Sequence, residues 1–362
     1  MSARIEFPFR RFGLVACAVA AAPALAQTPS GSVLRLARLG GQAVEPRAIS
    51  GDGLWIVGGA HNGSGWQAAV WSSADGSVLI PADSEGATYA CVSHDGSTIG
   101  GSYFGAATLW RGGVRESLRI GGSVDAVSGS GEFAVGEGLG PHSNPEAFLW
   151  SAQTGVVWLG AAPSDESSRA SDVSEDGRVV VGQRRNDFGS TTGFVWTAES
   201  GMVELQEREQ SANERLVLAT ELCELGGRIF GTSPRTDHSS DDGIAFWDVG
   251  AKSLVKYGPL DDAETFGIVL DVIPSGALGV GRSEAGIEDR AVIWDQLAGP
   301  RSLQEVASRQ FRVDLSFWLL ETAVGISDDG RVIVGTGWYG GFAQQGYVLT
   351  RPVRRLAPAP PP

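Results

Sequence analysis

The residue group that most suggests chemistry is a corner, Ser-x-Asp-Gly, that recurs along the chain. It stands at Ser50-Gly51-Asp52-Gly53, Ser93-His94-Asp95-Gly96, Ser174-Glu175-Asp176-Gly177 and Ser327-Asp328-Asp329-Gly330. Serine and aspartate oxygens beside a glycine invite comparison with a calcium loop. Such a loop needs several more oxygen ligands at alternating positions, and they are missing. The spacing fits a tight turn instead: Asp and Ser oxygens accept bonds from turn amides, and Gly takes the positive φ that the turn requires.

Other constellations are equally sparse. The Asp box of sialidases places one more residue between Asp and Gly than this corner does. There is no Gly-x-Ser-x-Gly elbow, no His-Glu-x-x-His, and no cysteine or histidine cluster with metal spacing. No catalytic residue, metal or cofactor is expected. The four histidines, His61, His94, His142 and His238, are scattered, and only His94 sits in a corner. Beyond residue 26 the cysteines are Cys91 and Cys223, each in the first strand of a different repeat. They are expected to be two buried free thiols.

The elements that carry these residues come in pairs of hairpins. From Ala170 to Leu205, two short β-rich runs meet at Glu175-Asp176-Gly177 and two more meet at Glu199-Ser200-Gly201, which makes a four-stranded antiparallel unit. The first hairpin recurs up to Gly58, Gly101, Gly136, Gly182, Gly231, Gly281 and Gly335. The second carries Trp71, Trp110, Trp150, Trp196, Trp247 and Trp294, with Leu349 in the last copy, at intervals of 39 to 55 residues. That period predicts an all-β chain: a seven-bladed β-propeller of four-stranded antiparallel blades. The last unit lacks a fourth strand, and Ser32–Gly40 resembles one, so the N-terminal strand is expected to close the last blade. Glu207–Leu218 and Leu303–Arg309 read as short helical excursions, and Val313–Leu320 as an apolar segment tucked against the final blade.

The ends differ from the body. Arg4, Arg10 and Arg11 precede an apolar run from Phe12 to Ala22, and Ala24 and Ala26 flank Leu25, which reads as a secretory signal peptide over 1–26. An alternative reading acylates Cys17 after Leu14-Val15-Ala16. Removing the signal takes three arginines and one glutamate, moving the net charge from −14 to −16. Such acidity disfavours nucleic acid and anionic membranes as partners. The propeller is expected over 27–350 and a proline-rich tail over 351–362. No transmembrane segment is expected beyond the signal, and the mature protein is read as a periplasmic or extracellular monomer.

The pattern Ala-x-x-Val-Ser-x-Asp-Gly-x-x-Val-Val-Gly, followed by Ala147-Phe148-Leu149-Trp150, Gly155 and Leu159-Gly160, resembles the bacterial HAF-type extracellular repeat family. Phe317-Trp318-Leu319-Leu320 through Val334-Gly335 is similar to that family's terminal unit, and the likeness covers residues 33 to 350. It implies export and a propeller-like body, with no established catalytic activity. The long loops gather on one face, because alternate connections of an antiparallel sheet share a side. That face carries Trp66, Tyr103, His142, Arg185, Asp187, His238, Trp338 and Tyr339, a set suited to a glycan, peptide or protein ligand. The function expected is a non-enzymatic binding scaffold. The alternative is a carbohydrate-active hydrolase or lyase with carboxylates near the axis, which sequence spacing does not locate.

Overall fold

The computed structural model describes residues 30–352 apart from 41–42, 82–83, 142, 161–164, 207–214, 224–226, 235–241, 259, 261–265, 286–287 and 342. The signal segment, His142, His238, most of the first expected helix and residues 353–362 of the tail lie outside the described residues.

Strand β1 (Ser32–Arg35) comes first. The unit β2 (Val44–Ile49), β3 (Trp55–His61), β4 (Trp66–Ser72) and β5 (Val78–Leu79) follows as an antiparallel sheet in chain order. Next come β6 (Ala87–Val92), β7 (Thr98–Tyr103), β8 (Ala106–Arg111) and the first half of β9 (Val114–Val127). The second half of β9 opens the next unit, with β10 (Phe133–Leu139), β11 (Pro145–Ser151) and β12 (Gly155–Trp158). Then follow β13 (Asp165–Val173), β14 (Val180–Asn186), β15 (Thr191–Thr197) and β16 (Gly201–Glu204), and after them β17 (Leu218–Cys223), β18 (Arg228–Pro234), β19 (Asp242–Asp248) and β20 (Ser253–Gly258). After β21 (Phe266–Val272), β22 (Leu278–Ala285), β23 (Glu288–Asp295) and β24 (Gly299–Ser302), helix α1 (Leu303–Arg309) leads into β25 (Trp318–Ile326), β26 (Val332–Tyr339) and β27 (Ala343–Thr350). Strand β1 completes this last sheet by pairing antiparallel with β27, Ser32 opposite Thr350.

The first strand of each unit packs against the first strands of its neighbours, in the order β2, β6, β9, β13, β17, β21, β25 and back to β2. The result is a closed ring of blades around an axis: a β-propeller. The hydrophobic cores lie between neighbouring sheets. One joins Ile56 and Trp71 to Val334 and Val348, and another joins Val135 and Leu149 to Val180 and Phe194. Trp71 and Trp294 are fully buried, whereas Trp196 is only partly so.

A register break explains the glycine that ends each first hairpin. The innermost strands bulge, for instance between Ala170 and Asp172, which leaves Ser171 unpaired against β14. The bulge drives the first strand onto the second, so that a Cβ on Gly182 would collide with the Arg169 carbonyl oxygen, and one on Gly58 with that of Glu45. The corners form as the turn reading requires. Ser50 Oγ donates to Asp52 Oδ1 at 2.6 Å and accepts from Trp55 N at 3.0 Å. The same pairing recurs at Ser93–Asp95, Ser174–Asp176 and Ser327–Asp329.

Helix α1 forms where the sequence places it, with Ser302 capping Glu305 N. One local expectation is corrected: Leu218 starts β17 instead of ending a helix. The apolar segment over 313–320 packs as expected, with Val313, Leu315, Trp318 and Leu320 buried against Ile333, Tyr347 and Leu349 of the last blade, while Phe317 and Leu319 stay exposed. Among the described residues, no helix is long and apolar enough to cross a membrane.

Candidate functional site

Around the axis, the innermost strands enclose a cavity of about 1230 Å³. Its chemistry is set at one position per blade, the first paired residue after the bulge. In β2, β6, β9 and β25 that residue is Ala48, Cys91, Ala126 or Gly325. In three consecutive strands, β13, β17 and β21, it is Asp172, Glu221 or Asp271. The bulge residue of β9 adds Asp125. Charged groups set in a strand whose neighbours are core positions are costly unless they are paired.

The pairing is with the next blade's backbone. Asp172 Oδ2 accepts from Leu222 N at 2.8 Å, and Oδ1 accepts from Val173 N at 2.7 Å. Asp271 Oδ2 accepts from Ile326 N at 2.7 Å. Between them, Thr220 Oγ1 donates to the Val269 carbonyl at 2.8 Å. Burial pushes the Glu221 carboxyl well above the usual carboxylate range, helped by the neighbouring Asp172 and Asp271 charges. Burial likewise raises Asp271 to about 8, against the opposing effect of the Ile326 and Val272 amides. On the next wall, burial raises Asp125 while Arg169, whose Nε lies 2.8 Å from Asp125 Oδ2, pulls it down. Arg282 is held by Glu284 and Asp289, each at 3.1 Å.

One mouth of the cavity is rimmed by the residue between Ser and Asp of the four corners, Gly51, His94, Glu175 and Asp328, and by Gly129 of the related turn Ser128-Gly129-Ser130-Gly131. These corners are linked by backbone bonds, Asp328 N to Gly51 O, Asp52 N to His94 O and His94 N to Gly129 O, each 2.9 Å. The His94 ring then crosses over Gly51 to Asp328, Nδ1 to Oδ2 at 2.7 Å, in a space that a Cβ on Gly51 would fill. The corners thus border the axial cavity.

The aromatic residues expected to bind do not converge. Trp66 is 48% exposed, edge-on to His61. Tyr103 is sandwiched by Phe104 and by the Arg115 guanidinium, 3.8 Å from its ring centroid. Between β14 and β15 the turn is Asp187–Ser190, with Arg185 and Asp187 exposed beside it. Arg184 is tied to Glu204 at 2.7 Å. Trp338 and Tyr339 stand together on β26. The Trp338 Nε1 donates to Glu321, and Tyr339 packs against Trp318 and Phe317 under the Arg35 guanidinium. None of these described residues lines the axial cavity. Both described cysteines are free and buried, as expected, and Cys91 lies in the cavity wall, its thiol pushed up by burial.

The axial carboxylates were missed because nothing local marks them. The available signal was an acid two residues before the corner serine, as in Asp172-Val173-Ser174, within a strand otherwise patterned as core. Among the described residues, no three His, Cys, Asp or Glu side chains are grouped to hold a metal ion.

No family model matches the chain, and no curated protein matches it. Solved structures do. The chain is similar to oligogalacturonate lyase from Vibrio parahaemolyticus, at 11% identity and a TM-score of 0.57 over 89% of this chain and 98% of that one. It is also similar to the β-propeller domain of the trilobed protease from Pyrococcus furiosus, at 10% identity and a TM-score of 0.55 over 89% and 94%. That domain has an open velcro topology, whereas here β1 is paired to β27. TolB from Acinetobacter baumannii aligns at 14% identity and a TM-score of 0.48 over 68% of this chain. The chain spans 62% of that protein's length. The second and third of these likenesses differ in strength, and those above a TM-score of 0.5 carry the propeller fold.

Proposed function

We propose that the chain is an exported, seven-bladed β-propeller of the HAF-type repeat kind that acts as a binding scaffold, with the axial cavity as its ligand seat. The cyclic order of the innermost strands and the β1–β27 pairing support the blade number and the closure. The observation that carries the binding reading is the cavity itself. At about 1230 Å³ it exceeds the roughly 300–1,000 Å³ of ordinary small-molecule pockets, which suits an oligomeric ligand or a chain segment. Nine carboxylate residues line it against three arginines, so the ligand class is one that carries amines or guanidiniums. Trp66, Tyr103, Arg185, Asp187, Trp338 and Tyr339, with His142 and His238, are the residues expected to give outer contacts to a larger glycan, peptide or protein partner.

Calorimetric titration with spermine, a lysine-rich peptide and a neutral oligosaccharide tests this. Binding of the cationic probes, weakened at high salt and in Asp125→Asn, is expected. Binding confined to the oligosaccharide and lost in a Trp338→Ala, Tyr339→Ala variant would move the seat to the loop face. A second reading, a hydrolase or lyase acting through axial carboxylates, draws on one observation: the cavity holds a carboxyl raised to about 8, Asp271, together with the Arg169-paired Asp125, an arrangement able to give and take protons. Turnover of the oligosaccharide that vanishes in Asp271→Asn would favour it.

A further inference from the structure

We propose that a groove on the last blade, beside the closing strand β1, binds an acidic sugar: its carboxylate sits between Arg35 and Arg38, its ring lies against Tyr339 and Phe317, and one of its hydroxyls donates to Asp314. This rests on the reading of the chain as a binding scaffold but not on the axial seat, with which the groove shares no lining residue.

Two clefts make the groove. One, of about 360 Å³, is walled by Arg35, Arg38, Tyr339 and Gln345 among others, and the second, of about 310 Å³, by Arg35, Asp314, Phe317, Trp318 and Tyr339. They meet at Arg35 and Tyr339, and each reaches the roughly 300 Å³ at which small-molecule sites begin. The Arg35 guanidinium lies over the Tyr339 ring, 4.5 Å from its centroid. Tyr339 is set edge-on to the buried Trp318, which meets Tyr347 in turn, so the cation rests on aromatics anchored in the core. A cation over a ring face uses none of its N–H donors for that contact. Among the described residues, the Arg35 side chain makes no hydrogen bond and no ion pair. Arg38 is fixed through Nε, which donates to Oε1 of the buried Gln345 at 3.1 Å, and it too has no carboxylate partner among the described residues.

The chain holds 42 acidic residues against 28 basic ones, and Arg169, Arg184, Arg282 and Arg301 each face a carboxylate. Arg35 and Arg38 depart from that pattern, and they do so in one cleft. Two guanidiniums there offer N–H donors in the fork geometry that a carboxylate accepts. The second cleft has a different character. Exposed Phe317 beside Tyr339 gives it an apolar flank, and Asp314, which accepts from Ser316 N at 3.0 Å, has further lone pairs for a hydroxyl donor. A run of acidic side chains on a peptide would meet the Asp314 charge, whereas an acidic sugar brings one carboxylate and several hydroxyls on each ring.

Calorimetric titration of the full chain with a mannuronic acid trisaccharide tests this, with mannotriose as the uncharged control and tri-glutamate as the acidic peptide. The acidic sugar is expected to bind about tenfold more tightly than either control, and to weaken about tenfold in Arg35→Gln and in Arg38→Gln. Arg35→Lys, which keeps the charge and loses the fork, should weaken it as well. Asp125→Asn in the axial cavity should leave acidic-sugar binding unchanged, and the arginine variants should leave spermine binding unchanged, so the two sites fail separately. Acidic sugar bound no better than mannotriose or tri-glutamate would overturn the proposal, and that comparison needs only the wild-type protein. Undiminished binding in the folded arginine variants, or loss of binding in Asp125→Asn, would overturn it too.

Discussion

Asp271 is one of the carboxyls through which stability depends on pH. Its folded value, about 8, lies above the ordinary carboxylate value of about 4, so between these limits the folded state binds the proton more tightly than the unfolded chain does. The stability it contributes is full at acidic pH and is lost as pH rises through that window, the reverse of the usual ion-paired aspartate. Chemical denaturation across about pH 5 to 9 should therefore show stability declining as pH rises, with a flatter profile in Asp271→Asn. The corner serines make a second prediction. Ser50 Oγ both donates to Asp52 and accepts from Trp55 N, so Ser50→Ala should cost about 1–2 kcal/mol in urea unfolding. The cysteines make a third: Cys91 and Cys223 should resist a thiol reagent in the native state and react once the chain is unfolded.

Within a blade, the bulge does more than bend a strand. It sets which residue faces the axis and presses the first strand against the second, which is why glycine ends the first hairpin in every copy. Gly182→Ala should cost on the order of 3 kcal/mol in thermal unfolding, since the new methyl group meets backbone and not a movable side chain. The repeated tryptophans are not equivalent. Trp71, fully buried with Nε1 donating to the Ala37 carbonyl at 2.9 Å, should cost about 3–5 kcal/mol when changed to Ala, and the partly buried Trp196 clearly less. The hairpins, the corners, α1 and the closing strand were legible in the sequence because each obeys a local rule: apolar alternation, turn chemistry, capping. The axial site was not, because Asp172, Glu221 and Asp271 meet only through a register shift and the docking of three separate blades. The packing of the loop aromatics was not legible either: Tyr103 meets Phe104 and Arg115, and Tyr339 meets Trp318 and Arg35, contacts made mostly between strands.

At the scale of the molecule, the ring makes every seam answerable to the others, because widening one requires its neighbours to give. The ring is held shut by a short contact, four residue pairs from Ser32–Thr350 to Arg35–Tyr347. A proline at Leu34 would remove a ladder bond there and should lower the melting temperature cooperatively, seen as one transition displaced and not as a new early one. The same contact has a consequence in time. Its two strands are separated by almost the entire chain, so it is among the most costly encounters to reach by diffusion, and no earlier pairing can stand in for it. The growing protein accumulates blades in order while the edge of β27 does not yet exist, and then carries that edge bare until β1 is captured. Its exposure to proteases and to strand exchange with a second molecule is concentrated in that final interval.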